Sequence, residues 1–504
     1  YLLFLLDGGL YALLYLAGAV ASPEDFAAWY FVHPGTVTLV GRAVAAACGL
    51  ACVAVTYRLG CEHWGWPVGV GAAAVLAVSP AFVQASRMAK PDVLMTLFVV
   101  LAAWAVLRYL ETDRARWLVL AAAAVGLGAS TKYLAGLGVM WLLIAPWMRG
   151  GWAAAVRAGG AALCLAGVAF VVGTPFAVLD WDTFSADVAR VAGLMRTTWY
   201  GAEDQIGYRY YPLESLPRGL GWLAALAALA GLTRWVVAGG PRERLLGWFV
   251  LLYYGWMGSA MHVGDLYILP LYPLLALAGT HLMVEAMGRA RAWRPIPVPP
   301  LAAGLAVLLL AQPSWLTVRG VVLSKAHDTR EVAGEWIVEH LPPGTKILSE
   351  PYGPFVPLTP GRLDEMIALQ ERRNPGHGMR LRFDRAQAEL GRGYWLHEME
   401  LFNDPIAGQP VVEDYDLDRF LREGYRVVVL SSEVFGRYRH FPERYPVQNE
   451  FYRRVTEEGT LIARFDAGTP WCCPRTLNAR LSEAAAGFFG RPGPTLLVYR
   501  FPEP

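Results

Sequence analysis

Residues 299–318 read PPLAAGLAVLLLAQPSWLTV, and residues 319–348 read RGVVLSKAHDTREVAGEWIVEHLPPGTKIL. The first is a charge-free apolar block, whereas the second mixes acids, bases and apolar residues as a soluble domain does. A hydrocarbon core of about 30 Å needs roughly 20 apolar residues as helix, so the first block has the length to cross a membrane and the second lacks the apolarity. Working back from this switch, blocks of the first kind recur at about 37–57, 68–85, 92–109, 117–131, 134–148, 157–175, 217–236, 245–261 and 266–287. The chain is therefore predicted to be a polytopic α-helical membrane protein of about ten spans with a C-terminal α/β domain. An eleventh stretch, 1–20, carries Asp7 and Gly8-Gly9 and reads as an interfacial helix or a further span.

Composition agrees. Hydrophobic residues make up 55% of the 504 residues and charged residues 17%, against about a quarter charged in soluble domains, which excludes an ordinary soluble enzyme. The net charge of +2 is silent about partners, but its distribution is not. Arginines gather in alternate short connections: Arg58; Arg108, Arg114 and Arg116; Arg149 and Arg157; Arg234, Arg242 and Arg244; Arg289, Arg291 and Arg294. By the positive-inside rule these connections face the cytoplasm. The other set, 86–91, 132–133, 176–216, 262–265 and everything after 319, is then expected on the outer side of a cytoplasmic (inner) membrane.

The chain begins at Tyr1 with no initiator Met and no signal-peptide pattern, and is expected to be a fragment without its own N-terminus. Four of its six cysteines, Cys48, Cys52, Cys61 and Cys164, lie in or beside helices as small apolar thiols. Cys472 and Cys473 are adjacent in the outward domain, where ring strain disfavours a vicinal disulfide and two thiols are expected.

The C-terminal domain has a different grammar. Asp328 and Glu331 are spaced as a capping box, and Val332, Trp336, Ile337 and Leu341 mark one face of a helix closed by Pro342-Pro343-Gly344. Lys346-Ile347-Leu348, Arg426–Leu430 and Thr495–Tyr499 read as strands, Leu417–Gly424 as a helix, and the Pro/Gly/Arg-rich stretch 353–382 as loop. No internal repeat is visible.

The chemistry is expected where the outward connections meet helix ends. Ser86-Arg87-Met88-Ala89-Lys90-Pro91-Asp92 packs two cations and a carboxylate into seven residues. Asp92 reads either as a first-turn acid favoured by the helix dipole or as a general base or metal ligand. Arg87 and Lys90 read as snorkelling interfacial charges or as phosphate ligands. Lys132, in Ser130-Thr131-Lys132-Tyr133, interrupts an apolar stretch from 117 to 148; it either caps a tight turn or reaches an anionic headgroup. His262 and Asp265, three apart, have the spacing to meet one ion, a weak metal signal. The site admits a divalent metal ion as cofactor without requiring one. In the long connection 176–216, Asp180-Trp181-Asp182, the run from Arg196 through Tyr200 and Glu203 to Asp204, and Tyr208-Arg209-Tyr210-Tyr211 mix aromatics with charges. That mixture suits carbohydrate, and it equally suits an interfacial aromatic belt around an amphipathic helix.

Taken in order, Ser86 to Asp92, Ser130-Thr131-Lys132, Thr174-Pro175-Phe176-Ala177-Val178-Leu179-Asp180, Leu266-Tyr267-Ile268-Leu269-Pro270-Leu271-Tyr272-Pro273, and Asp328-Thr329-Arg330 leading to Trp336-Ile337 resemble glycosyltransferase family 39. This is the group of protein O-mannosyltransferases and aminoarabinose transferases with the GT-C fold. The resemblance runs along nearly the whole chain through individually loose motifs. It implies a polyprenyl-phosphate sugar as donor and a protein, lipid or glycan as acceptor, with membrane lipid around the protein and no nucleic-acid partner. It implies a catalytic role for Asp92, donor-phosphate binding by Arg87, Lys90 and Lys132, and sugar or acceptor binding by Tyr200, Glu203, His262, Asp265 and Tyr267. It also implies a principal aspartate in a first outward loop that would precede Tyr1, so residues 1–36 are expected to be the remnant of that loop and the fragment itself to be inactive. The domains expected are then 1–36, a membrane transferase domain 37–320, and an extracytoplasmic domain 321–504. Two other classes share this topology: a transporter or flippase of lipid-linked sugars, which a repeat and midplane charges would favour, and a noncatalytic membrane-anchored scaffold. Gathering of Arg87, Lys90, Asp92, Lys132 and Asp265 at one place separates the enzyme from the scaffold.

Overall fold

The computed structural model describes residues 2–198, 205–293, 298–374, 378–389, 391–401, 412–467 and 492–503. They fall into two compact units, one of residues 1–196 with 205–318 and one built around 319–504. The first unit is helical throughout its regular structure. Helices cover all ten apolar stretches, but not as ten uniform spans. Among the described residues five are long and apolar enough to cross a membrane: Pro34–Trp64, Asp92–Thr112, Tyr133–Gly173, Asp265–Ala290 and Ala303–Leu323. The pair Trp66–Val78 and Pro80–Ser86, bent by 66°, makes a sixth if taken as one span.

Each departure has a local cause. Pro80 cannot continue a helix through Ser79, so the expected span 68–85 is broken there, and the Ser79 hydroxyl caps the second piece by accepting from the Phe82 N–H. Tyr133–Gly173 is a hairpin containing two of the expected spans. Gly150 and Gly151 leave helical geometry, Gly151 at φ 65°, ψ −158°, a region open to glycine alone. The chain then doubles back until a side-chain carbon at Gly159 would lie 2.9 Å from the Leu142 carbonyl oxygen. Ala115–Thr131 and Trp222–Ala238, at 17 residues each, sit at the short limit for a span. The Pro34–Trp64 helix outruns its expected end, so Arg58 lies within a helix rather than in a connection.

Small residues let the helices approach closely. A side-chain carbon at Gly126 would lie 2.2 Å from the Ala166 carbonyl oxygen, so the Ala115–Thr131 and Gly160–Gly173 helices touch backbone to backbone, the packing that apolar surroundings favour. The connection 176–216 is not a plain loop. It contains the helices Phe176–Leu179 and Trp181–Leu194, and Asp180 caps the second by accepting from the Thr183 N–H. No residue of the Trp181–Leu194 helix is buried, and Trp181 is exposed.

The second unit is a five-stranded mixed sheet, β1 (Lys346–Ser349), β2 (Trp395–Glu398), β3 (Val427–Ser431), β4 (Thr460–Phe465) and β5 (Leu496–Arg500), in the order β2-β1-β3-β5-β4. β1 runs parallel to β2 and β3, while β5 is antiparallel to β3 and β4. Every residue of β3 is buried: Val427 and Val429 join one apolar cluster, Val428 and Leu430 the other. A strand covered on both faces reads as a continuous apolar run, which is how Arg426–Leu430 announced itself. The capping box is present, with Asp328 and Glu331 closing the start of Thr329–His340. The expectation of loop over 353–382 is corrected. Thr359 caps and Pro360 opens a helix to Arg373, with Arg372 and Arg373 in its last turn, and a second helix, Met379–Gln387, follows. Proline at the first helical position and bases at the last are start and stop signals, which the density of Pro, Gly and Arg disguised.

Candidate active site

Pro91 fixes the backbone just before the Asp92–Thr112 helix, and Asp92 is that helix's first residue. Asp92 stands in the first turn, where the helix dipole favours an acid. Its carboxylate accepts a hydrogen bond from Lys132 Nζ at 2.5 Å, and the Asp92 side chain is 4% exposed against 30% for Lys132. Lys132 gets there because the Ala115–Thr131 helix stops at Thr131 and Lys132 turns extended, at φ −152°, ψ 128°. The backbone break thus aims the one charge of an apolar stretch at the helix beside it. A buried carboxylate is costly unless paired, and here the pairing is direct.

The third wall is the short 3-10 helix Asp265–Leu271, which leads into Tyr272–Trp293. Lys132 Nζ lies 5.1 Å from the centre of the Tyr267 ring, within the range of a cation–π contact. The Tyr267 carbonyl accepts from the Tyr253 hydroxyl at 2.8 Å, which holds that turn in place. Asp265 faces other partners. Its Oδ1 accepts from the Tyr210 hydroxyl at 2.9 Å and from Arg218 at 3.2 Å, and Arg218 also donates to the Tyr210 oxygen at 2.8 Å. His262 is buried, its ring centre 6.4 Å from that of Tyr267, and burial pushes its pKa below the ordinary value.

The structure therefore brings Asp92, Lys132 and Tyr267 together directly. It joins Asp265 to them through one short helix rather than by a shared ion pair. Arg87 and Lys90 are exposed on the segment just ahead of Asp92. Tyr200 and Glu203 lie outside the described residues, as do Cys472 and Cys473. Arg218 and Tyr253 were missed from sequence. Arg218 sits in Leu216-Pro217-Arg218-Gly219-Leu220, a lone cation in an apolar run, the same signal that singled out Lys132.

Among the described residues the donor set does not fit a metal ion. Among the described residues no three His, Cys, Asp or Glu side chains gather as a metal site would require. Asp92 is taken up by an ammonium and Asp265 by a guanidinium and a phenol. What the arrangement offers is a carboxylate, a partly exposed ammonium that can exchange partners, and an aromatic face beside them.

Residues 30–181 match the model of the dolichyl-phosphate-mannose-protein mannosyltransferase family. The match is to a family of membrane glycosyltransferases, covers somewhat under a third of the chain, and includes both Asp92 and Lys132. No curated protein matches the chain. Among solved structures, ArnT from Cupriavidus metallidurans bound to undecaprenyl phosphate is similar over 91% of this chain and 84% of its own, at 13% identity and a TM-score of 0.41. The archaeal oligosaccharyltransferase AglB from Archaeoglobus fulgidus, in complex with an inhibitory peptide and a dolichol-phosphate, is similar over 92% of this chain and 66% of its own, at 11% identity and a TM-score of 0.42.

Proposed function

We propose that this protein is an integral membrane glycosyltransferase that moves a sugar from a polyprenyl-phosphate donor to a hydroxyl of a protein, lipid or glycan acceptor on the outer face of the cytoplasmic membrane. The observation that carries the reading is the Asp92–Lys132 pair, a buried carboxylate at a helix start bound by a partly exposed ammonium, inside the segment that matches a mannosyltransferase family. A helix cap needs no lysine, and a snorkelling lysine needs no buried acid. The arginine-rich connections would then be cytoplasmic, and the sheet domain and the 176–216 connection would lie outside.

The chemistry follows from the pair. A phosphate of the donor competes with Asp92 for Lys132, which is the more exposed partner. Its arrival releases the carboxylate at the moment the donor is in place. The acceptor oxygen then attacks the anomeric carbon, its proton passes to Asp92, and the bond from that carbon to the phosphate oxygen breaks. The lipid phosphate leaves with the bonding electrons, and Lys132 stabilises the charge as it develops. Arg87 and Lys90 border the approach as further cations. Tyr267 offers a stacking face to the sugar, and His262, Asp265, Tyr200 and Glu203 are assigned to sugar or acceptor binding.

Transfer from a polyprenyl-phosphate sugar, measured with the protein in proteoliposomes, tests the roles. Asp92→Asn should keep polyprenyl-phosphate binding and lose transfer by roughly 10²-fold or more. Lys132→Ala should instead weaken donor binding and leaving-group stabilisation together. Undiminished transfer by Asp92→Asn would reduce Asp92 to a first-turn acid and overturn the reading.

A further inference from the structure

A cavity of about 630 Å³ opens between the Val139–Ala154 and Pro241–Gly258 helices, lined by Ile144, Trp147, Met148, Arg244, Trp248 and neighbours. It lies at the opposite end of the helical unit from Asp92. The Asp92–Thr112 helix is 21 residues long, about 30 Å at 1.5 Å per residue, and its far end is held by Arg149, which donates to the Leu110 carbonyl at 2.8 Å and pairs with Asp113 at 2.9 Å. Arg149 is two residues from Gly151, which forms part of the cavity wall.

Three observations narrow the occupant. The lining is mostly apolar and open, with Trp147 and Trp248 each 54% exposed, as tryptophans at a membrane interface are. Arg244 is the cation among the lining residues, and no carboxylate lies within ion-pair distance of it among the described residues. Its one side-chain hydrogen bond there is a 3.4 Å contact to the Val237 carbonyl. Neighbouring arginines are satisfied internally: Arg58 pairs with Glu62, Arg108 with Glu62 and Glu111, Arg242 with Glu111, and Arg234 with Glu285. Glu62, Glu111 and Glu285 are thus spent on other bases, and Glu243, beside Arg244 in the chain, accepts from the Trp64 indole N–H at 2.7 Å, while a cation stands at the mouth of an apolar groove between helices. That combination matches the headgroup and chains of an anionic phospholipid.

We propose that this groove binds one membrane phospholipid with an anionic headgroup, its phosphate on Arg244 and its chains against Ile144, Trp147, Met148 and Trp248. The site is separate from the transfer chemistry and does not rest on it. Native mass spectrometry of the intact protein in mild detergent, with phosphatidylglycerol or phosphatidylcholine added at equal concentration, tests it. The wild type should retain one more phosphatidylglycerol than phosphatidylcholine. Arg244→Gln should weaken that binding roughly fivefold, the effect of one basic group at a lipid surface, and Arg244→Lys should keep most of it. Arg116→Gln, at a residue outside the cavity that stacks on Trp117, should change nothing. Equal retention of the two lipids by the wild type, or equal losses in Arg244→Gln and Arg116→Gln, overturns the proposal and leaves only diffuse attraction to a basic surface.

Discussion

Removing either partner of the Asp92–Lys132 pair should cost very different amounts, because the two ends of the bond see different surroundings. The Asp92 side chain is 4% exposed and that of Lys132 30%. Lys132→Met strands a carboxylate with almost no access to water, and breaking a buried pair in this way costs about 3–5 kcal/mol. The partial exposure of the lysine puts the expected loss at the lower edge, about 3 kcal/mol. Asp92→Asn leaves an ammonium that reaches water and keeps its place over Tyr267, so about 1 kcal/mol is expected. The double variant carries no charge at all and should lose little more than Asp92→Asn alone. Reversible unfolding of the purified protein in mixed detergent micelles, followed by circular dichroism, reads all three. The asymmetry of about 2 kcal/mol is a factor of roughly 30 in the unfolding constant. Equal losses for the two single variants, with a double variant that merely adds them, would refute the claim that burial of Asp92 governs the site.

Glu350, directly after β1, is fully buried, accepts from the Tyr452 hydroxyl and the Ser431 N–H, and is pushed up to about 8 by that burial. Its contribution to stability is therefore complete below about pH 4.5 and lost as pH rises through about 8, on the order of 1 kcal/mol per pH unit between. Hydrogen exchange of the Val427–Ser431 amides in the intact protein, corrected for intrinsic rates, should show that slope, and Glu350→Gln should flatten it. Gly126→Ala should destabilise the helical unit by about 1–3 kcal/mol, since its methyl would meet a backbone carbonyl that cannot move away; an unchanged unfolding midpoint would contradict the close approach. Arg218→Leu should free Asp265 and Tyr210, loosen the turn carrying Tyr267, and weaken polyprenyl-phosphate binding about tenfold by an energy near one charge-assisted hydrogen bond; unaltered binding would separate Arg218 from the site.

The fold class was legible because its determinants are local. Apolar length marks the helices, and the capping residues Asp328 and Glu331 and the run at Val427–Leu430 mark a helix start and a buried strand without knowledge of any partner. The helices at Pro360 and Met379 were hidden because turn-forming residues also serve as helix ends. The hairpin at Gly150–Gly151 was visible as two separate apolar stretches, but its tight return depends on one left-handed glycine. For the site, a lysine in an apolar run and an acid at a helix mouth both pointed to a partner, and they are each other's. That Asp265 bonds to Arg218 and Tyr210 instead of joining them is decided by how three helices pack, which no spacing along the chain expresses.

The position of β5 has a consequence for biosynthesis. It follows β4 in the chain, yet it lies between β3 and β4 and is the strand to which β4 is paired. While the ribosome is still holding residues 496–500, β3 has a bare edge and β4 has no ladder to join. A nascent domain in that state presents unpaired strand edges to its surroundings. The sheet therefore closes only after the helices before residue 320 have had time to leave the translation machinery, and a chain interrupted just ahead of Leu496 would emerge with its membrane part made and its sheet open.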